Sequence, residues 1–272
     1  PMPILWLRVA LVFYAVGLVY AILLLTKRGE LLARIIPSAI GMGMIFHFVS
    51  LVEIFRLSGQ PTMASVHNSE SLLAFLIILF YYVIFLRYRT TSPGIIAFPI
   101  VFLLTFAAAN GQQQFLFTTP GLRSGWLFAH IALIFTGYAA LVLSFGASLL
   151  YIVQERSLKS KKPSGLFSRL PALEVIDEIG YRSLLLGFPF MTLGLIAGSV
   201  VAQAKYGPAF FHDPKILLSL FMWAVYMLML YTRWSSGWRG RRAAVLATVA
   251  FGVAILVWAA NYFSVVHRFV SS

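Results

Sequence analysis

An all-α integral membrane protein, built as a bundle of about eight transmembrane helices, is the fold class this sequence predicts. Three observations carry that expectation. Of the 272 residues, 60% are apolar and 11% charged, against roughly 25% charged in soluble domains. Apolar runs near 20 residues recur along the whole length, each able as a helix to cross a hydrocarbon core of about 30 Å. The basic residues also fall unevenly between alternate loops, as they do in polytopic membrane proteins.

The runs extend over about 3–25, 35–55, 71–86, 94–109, 125–153, 183–204, 215–232 and 243–264. They fill the chain, so 1–272 reads as a single polytopic membrane domain. Pro99 and Pro189 lie within runs and are candidates for kinks. One set of loops, at 26–34, 87–93, 154–182 and 233–242, holds fifteen of the 21 lysines and arginines; the opposite set, with both termini, holds Arg8, Arg56, Arg123, Lys205, Lys215 and Arg268. The positive-inside rule then makes the first set cytoplasmic and puts both termini on the outer side. This bias accounts for the net charge of +13 through the bilayer and excludes nucleic acid as a partner.

The longest inner segment, 155–182, is expected as a cytoplasmic loop. Its end, LPALEVIDEIGYR, alternates Leu173, Ile176 and Ile179 with Glu174, Asp177 and Glu178. That pattern fits a solvated connector with an amphipathic turn, or a short helix lying in the inner interface. With no cysteine, disulfides, thiolate metal sites and covalent haem attachment are all excluded.

Chemistry concentrates toward the predicted outer side, where all five histidines fall. His130 stands in WLFAHIALIFTGYAAL, with Trp126 one turn before it and Gly137 two turns after. A flat ring could lie on that face; equally, His130 could be an interfacial residue beside a belt tryptophan, with Gly137 allowing close helix approach. His267 follows WAANYFSVV and precedes Arg268, and is by itself either a ligand or a solvated residue. The segment 205–215 sets Tyr206, Phe210, Phe211 and His212 between Lys205 and Lys215. It reads as an outer aromatic shelf or as belt aromatics. Asp213 and Pro214 suit the N-cap and first turn of the seventh helix. His47 and Glu53, six residues apart, face different sides of one helix. Glu70 suits a helix N-terminus, and a zinc site from His47, His67 and Glu70 is a minor alternative.

The run from Trp126 to Tyr138, the stretch GFPFMTLGLIAGSVVAQAKYG from Gly187 to Gly207, the triplet Asp213-Pro214-Lys215 and the late His267 together resemble the cytochrome c assembly protein family. That family comprises haem-handling membrane proteins of CcsA and CcmC type and a HemX-like branch, of which the last is the expected place of this chain. The resemblance covers about the last 150 residues well and the first 120 loosely. It implies b-type haem, as cargo or cofactor, between two outer histidines at the positions of His130 and His267, which would be its axial ligands. The family's W-G-x-x-W-x-W-D-P-K segment falls on 206–215. Its tryptophans are replaced by Tyr206, Phe210 and His212, while Gly207, Asp213, Pro214 and Lys215 match. Trp126, Tyr206, Phe210, Phe211, His212 and Asp213 thereby become candidate haem-facing residues, with His212 a substitute ring or a third ligand. Tyr231 stands where transporting members place an inner histidine.

The implied function is haem handling for cytochrome c maturation at the outer face of a bacterial-type cytoplasmic membrane. Implied partners are a CcsB/ResB-type membrane subunit and apocytochrome c. An enzyme acting alone is not expected, because thioether formation needs thiols from a partner. Two rival readings are a HemX-like accessory membrane protein that binds no haem and regulates haem biosynthesis or supports another membrane complex, and an electron-transfer haem b subunit.

Overall fold

The computed structural model describes residues 2–26, 30–58, 66–111, 115–116, 125–160, 170–260 and 270–271. Within them run α1 (Met2–Leu25), α2 (Glu30–Ser58), α3 (Val66–Tyr88), α4 (Gly94–Asn110), α5 (Gly125–Lys159), α6 (Leu173–Tyr206), α7 (Pro214–Ser235) and α8 (Arg241–Ala259). Seven of these are long and apolar enough to cross a membrane. The eighth, α4, has 17 residues and spans about 25 Å at the usual helical rise of about 1.5 Å per residue. The chain is a multi-pass membrane protein. Two short strands, β1 (Phe115–Leu116) and β2 (Val270–Ser271), pair antiparallel and join the segment after α4 to the end of the chain.

The expected loop over 155–182 needs correction. Helix α5 continues to Lys159, and α6 begins at Leu173, so the acidic-apolar stretch is the first turns of a long helix. Ile176, Ile179 and Gly180 are buried there, with a Cβ on Gly180 in ordinary contact with Ala147 and Ser144 of α5. Helical spacing of the apolar residues therefore serves the bundle interior, not the membrane surface. Pro99 and Pro189 both lie inside continuous helices. The eighth run was expected to 264; α8 ends at Ala259, and 261–269 lie outside the described residues.

Helix α5 is the centre of the molecule. Ala139, Val142, Leu143, Ala147 and Leu150 face a core shared with α1, α2, α3, α4 and the start of α6 at Ile176 and Ile179, whereas Leu141 belongs to a second core with the rest of α6, α7 and α8. In lipid the apolar effect gives little drive to helix association, and close backbone approach at small residues takes its place. The α5/α6 seam shows this along its length. A Cβ on Gly137 would lie 3.0 Å from the Met191 Cβ, and one on Gly194 would lie 2.9 Å from the Ile134 backbone nitrogen. These contacts make the pair antiparallel, so the start of α5 meets the end of α6.

Candidate functional site

At that meeting point His130, on the first turns of α5, directs its ring into α6. Its Nδ1 lies 2.7 Å from the Gly194 carbonyl oxygen. A carbonyl can only accept, so Nδ1 carries the hydrogen and the neutral ring keeps its lone pair on Nε2. Gly198, one turn further along α6, leaves the room the ring occupies: a Cβ there would lie 2.5 Å from both Cε1 and Nδ1 of His130. Lys215, in the first turn of α7, sits within electrostatic reach of the imidazole. Three helices thus contribute to one place at one end of the bundle.

The segment after α6 is shaped by its first residue. Gly207 has φ +65° and ψ −167°, a region essentially restricted to glycine, and it turns the chain out of α6 into a single 3-10 stretch, Gly207–His212. Phe210 is buried there and Phe211 is 51% exposed, with ring centroids 4.1 Å apart. Tyr206 is half-buried and His212 exposed, and the Lys205 ammonium lies 4.9 Å from the Tyr206 ring centroid. Asp213 is buried and caps α7, its carboxylate accepting from the Lys215 backbone N–H at 3.0 Å, with Pro214 in the first helical turn.

The remaining expected residues lie elsewhere. Trp126 is 62% exposed, on the outside of the bundle one turn from His130. Gly137 packs against Met191, so its role is helix approach and not a ligand face. His267 falls among residues outside those described. Tyr231 is exposed on α7, toward the end of that helix opposite Lys215. His47 is fully buried, bonded through Nδ1 to the Tyr14 hydroxyl at 3.1 Å and through Nε2 to the Ser71 hydroxyl at 2.9 Å. His67 pairs with Glu70 at 3.1 Å. Among the described residues no three His, Asp or Glu side chains converge as metal ligands, and the zinc alternative is set aside because His47 spends both nitrogens on hydroxyls.

Two features were missed in the sequence. The Gly194 carbonyl and the Gly198 notch had a signal in the small-x-x-x-small spacing of GLIAG. The second is a clasp at the opposite end of the same helices. Arg233 of α7 meets Asp177 of α6 in a bidentate pair at 2.9 and 2.7 Å. Asp177 also accepts from the Gly240 N–H before α8 at 3.0 Å, and the guanidinium lies 4.6 Å from the Tyr181 ring centroid. A sequence pattern linking these residues does not exist, because Asp177 and Arg233 are 56 residues apart.

Fold and site together define a polytopic helical membrane protein that presents an oriented imidazole, an aromatic turn and a lysine at one end of its last four helices. Comparison with known proteins makes the assignment specific. The family described as "Cytochrome C assembly protein" matches residues 63–267. Relatives named "Cytochrome c biogenesis protein CcsA" include one from Prochlorococcus marinus subsp. pastoris, 30% identical over 258 residues, covering 86% of this chain and 81% of the relative. Another, from Prochlorococcus marinus strain MIT 9215, is 30% identical over 240 residues, covering 79% and 78%. A third, from Chlamydomonas reinhardtii, is 33% identical over 156 residues, covering 57% of this chain and 42% of its own length. The chain belongs to the cytochrome c assembly protein family. These relatives carry the CcsA name and lend no support to the HemX-like branch.

Proposed function

We propose that this chain handles haem for cytochrome c biogenesis, holding b-type haem at the outer face of a bacterial-type cytoplasmic membrane with His130 as one axial ligand. Its family supports haem handling in cytochrome c biogenesis. The observation that carries the site is the His130 Nδ1–H donated to Gly194 O at 2.7 Å. Histidines that bind metals characteristically donate their other ring N–H to a carbonyl or carboxylate, which fixes tautomer and orientation. The donor set therefore fits haem. Bound haem would supply an iron centre that takes neutral imidazole, which His130 and His267 would offer.

In this reading His267 is the second ligand. Phe211 would offer an exposed aromatic face to the porphyrin, packed on buried Phe210 at 4.1 Å between ring centroids, and Tyr206 would add a further ring. Lys215, held in place by its own helix start, suits a propionate carboxylate. Asp213 acts by fixing that helix start, His212 stands at the rim, and Trp126 anchors the start of α5 in the interface. The thiols that would react with the haem vinyl groups belong to apocytochrome c, so this chain presents haem and a CcsB/ResB-type membrane subunit completes the assembly.

The test is the visible spectrum of the detergent-purified protein, oxidised and reduced, beside a double variant His130→Ala, His267→Ala. A bis-imidazole haem spectrum in the wild type that is lost in the variant is the expected result. A wild-type protein that stays colourless after haem is added contradicts the proposal.

A further inference from the structure

Haem ligation by a histidine on a membrane helix requires more than the ring. The side chain has two or more rotamers, two neutral tautomers and, in an apolar surrounding, few groups to choose between them. On α5 the choice is made by α6. Gly194 and Gly198 are one turn apart on the same face of that helix, and they act on the ring in two different ways. Gly194 meets α5 so closely that a Cβ would lie 2.8 Å from the Ile134 Cδ1 and 2.9 Å from its backbone nitrogen. This approach brings the Gly194 carbonyl to hydrogen-bonding distance of Nδ1. Gly198 keeps the space beside the ring open; an alanine there would stand 2.5 Å from Cε1 and Nδ1, well inside contact distance, and the ring would have to turn away.

We infer that Gly194 and Gly198 are positioning residues for His130: the first fixes the Nδ1–H tautomer through its carbonyl, and the second leaves the notch in which the imidazole is held. This rests on the haem reading for its purpose, although the geometry stands without haem. Free imidazole side chains favour a hydrogen on Nε2, the nitrogen that haem ligation needs bare. Selecting the other tautomer in advance removes a rearrangement from haem binding, in the way that outer partners orient other metal-bound histidines. The hydrogen bond to a carbonyl also makes the ring a stronger donor to iron.

The experiment uses full-length protein in detergent, labelled with 15N at histidine, and compares haem-free and haem-loaded samples. The His130 signals are assigned by their loss in His130→Ala. In haem-free wild type they are expected at the positions of a neutral ring protonated on Nδ1. In Gly198→Ala they are expected to move to a ring protonated on Nε2, and haem bound by that variant is expected at a higher reduction potential than in wild type. Gly252→Ala is the control, because a Cβ on Gly252 meets nothing within 4 Å; it should leave the His130 signals in place.

A wild-type ring protonated on Nε2 overturns the inference without reference to any variant, so the test survives a Gly198→Ala protein that does not fold. Unmoved His130 signals in a folded Gly198→Ala protein overturn it as well. If the tautomer behaves as stated and haem never binds, the positioning holds and the haem reading fails, which keeps the two outcomes apart.

Discussion

Two histidines, the fully buried His47 and the half-buried His130, one in each half of the molecule, are held by different kinds of partner. His47, in the core of α1, α2 and α3, is enclosed completely, and both ring nitrogens bond to hydroxyls, of Tyr14 and Ser71. Hydroxyls donate or accept, so His47 is satisfied in either tautomer. His130, between α5 and α6, bonds to a backbone carbonyl that only accepts, which settles the tautomer. Glycines shape both places: a Cβ on Gly43 would lie 2.8 Å from the Tyr14 ring, and one on Gly198 would lie 2.5 Å from the His130 ring. In the first half the glycine makes room for the partner of the histidine, and in the second for the histidine itself. The comparison teaches that the chemistry of an imidazole's partner decides its tautomer: hydroxyls leave it open, and a backbone carbonyl fixes it.

The largest stability loss is expected at neither histidine. Asp177→Ala removes both hydrogen bonds to Arg233 and the acceptor for the Gly240 N–H, leaving a guanidinium with 11% exposure uncompensated. The cost is about 3 kcal/mol, read as a lower midpoint of thermal unfolding in detergent. Haem content should stay unchanged, since the clasp lies at the end away from His130. Co-loss of haem and clasp would show that the two ends are coupled.

His47→Ala comes next. It opens a cavity and strands the Tyr14 and Ser71 hydroxyls, at about 2–3 kcal/mol, and the bound haem spectrum should be that of wild type. A folded His47→Ala protein with altered axial ligation would break the comparison between the halves. Asp213→Ala removes the cap of α7, about 1 kcal/mol, and is expected to weaken haem retention through a displaced Lys215; Asp213→Asn, which can still cap, should restore most of it. The smallest effect is at Trp126, where alanine should change stability by less than about 0.5 kcal/mol and leave the absorption spectrum in place, because the indole lies outside the bundle.

Eight helices were legible in the sequence because hydrocarbon length and apolar runs report the same physical quantity. The long reach of α6 was not, since Glu174, Asp177, Glu178 and Arg182 dilute the apolar pattern at its start. Glu178 and Arg182 pair locally at 2.7 Å, Asp177 is answered at a distance by Arg233, and only the first pair has a sequence spacing. His130 stood out through its residue type and neighbours. Its partner did not, because a backbone carbonyl has no side-chain signature; the two glycines of α6 were the only trace. His47 was visible as a histidine, but Tyr14 and Ser71 stand 33 and 24 residues away, beyond any local pattern. The Asp213 cap was readable because capping is a local matter of two or three residues.

The most direct measurement of the central claim is the reduced absorption spectrum of haem-loaded His130→Gly, taken before and after addition of free imidazole, with His47→Gly treated alongside. His130→Gly should lose the bis-imidazole bands and regain them as imidazole occupies the vacated place against Gly194, while His47→Gly keeps them throughout. Unchanged bands in His130→Gly, or their loss in a folded His47→Gly protein, would contradict the proposal of His130 as one of the two haem ligands.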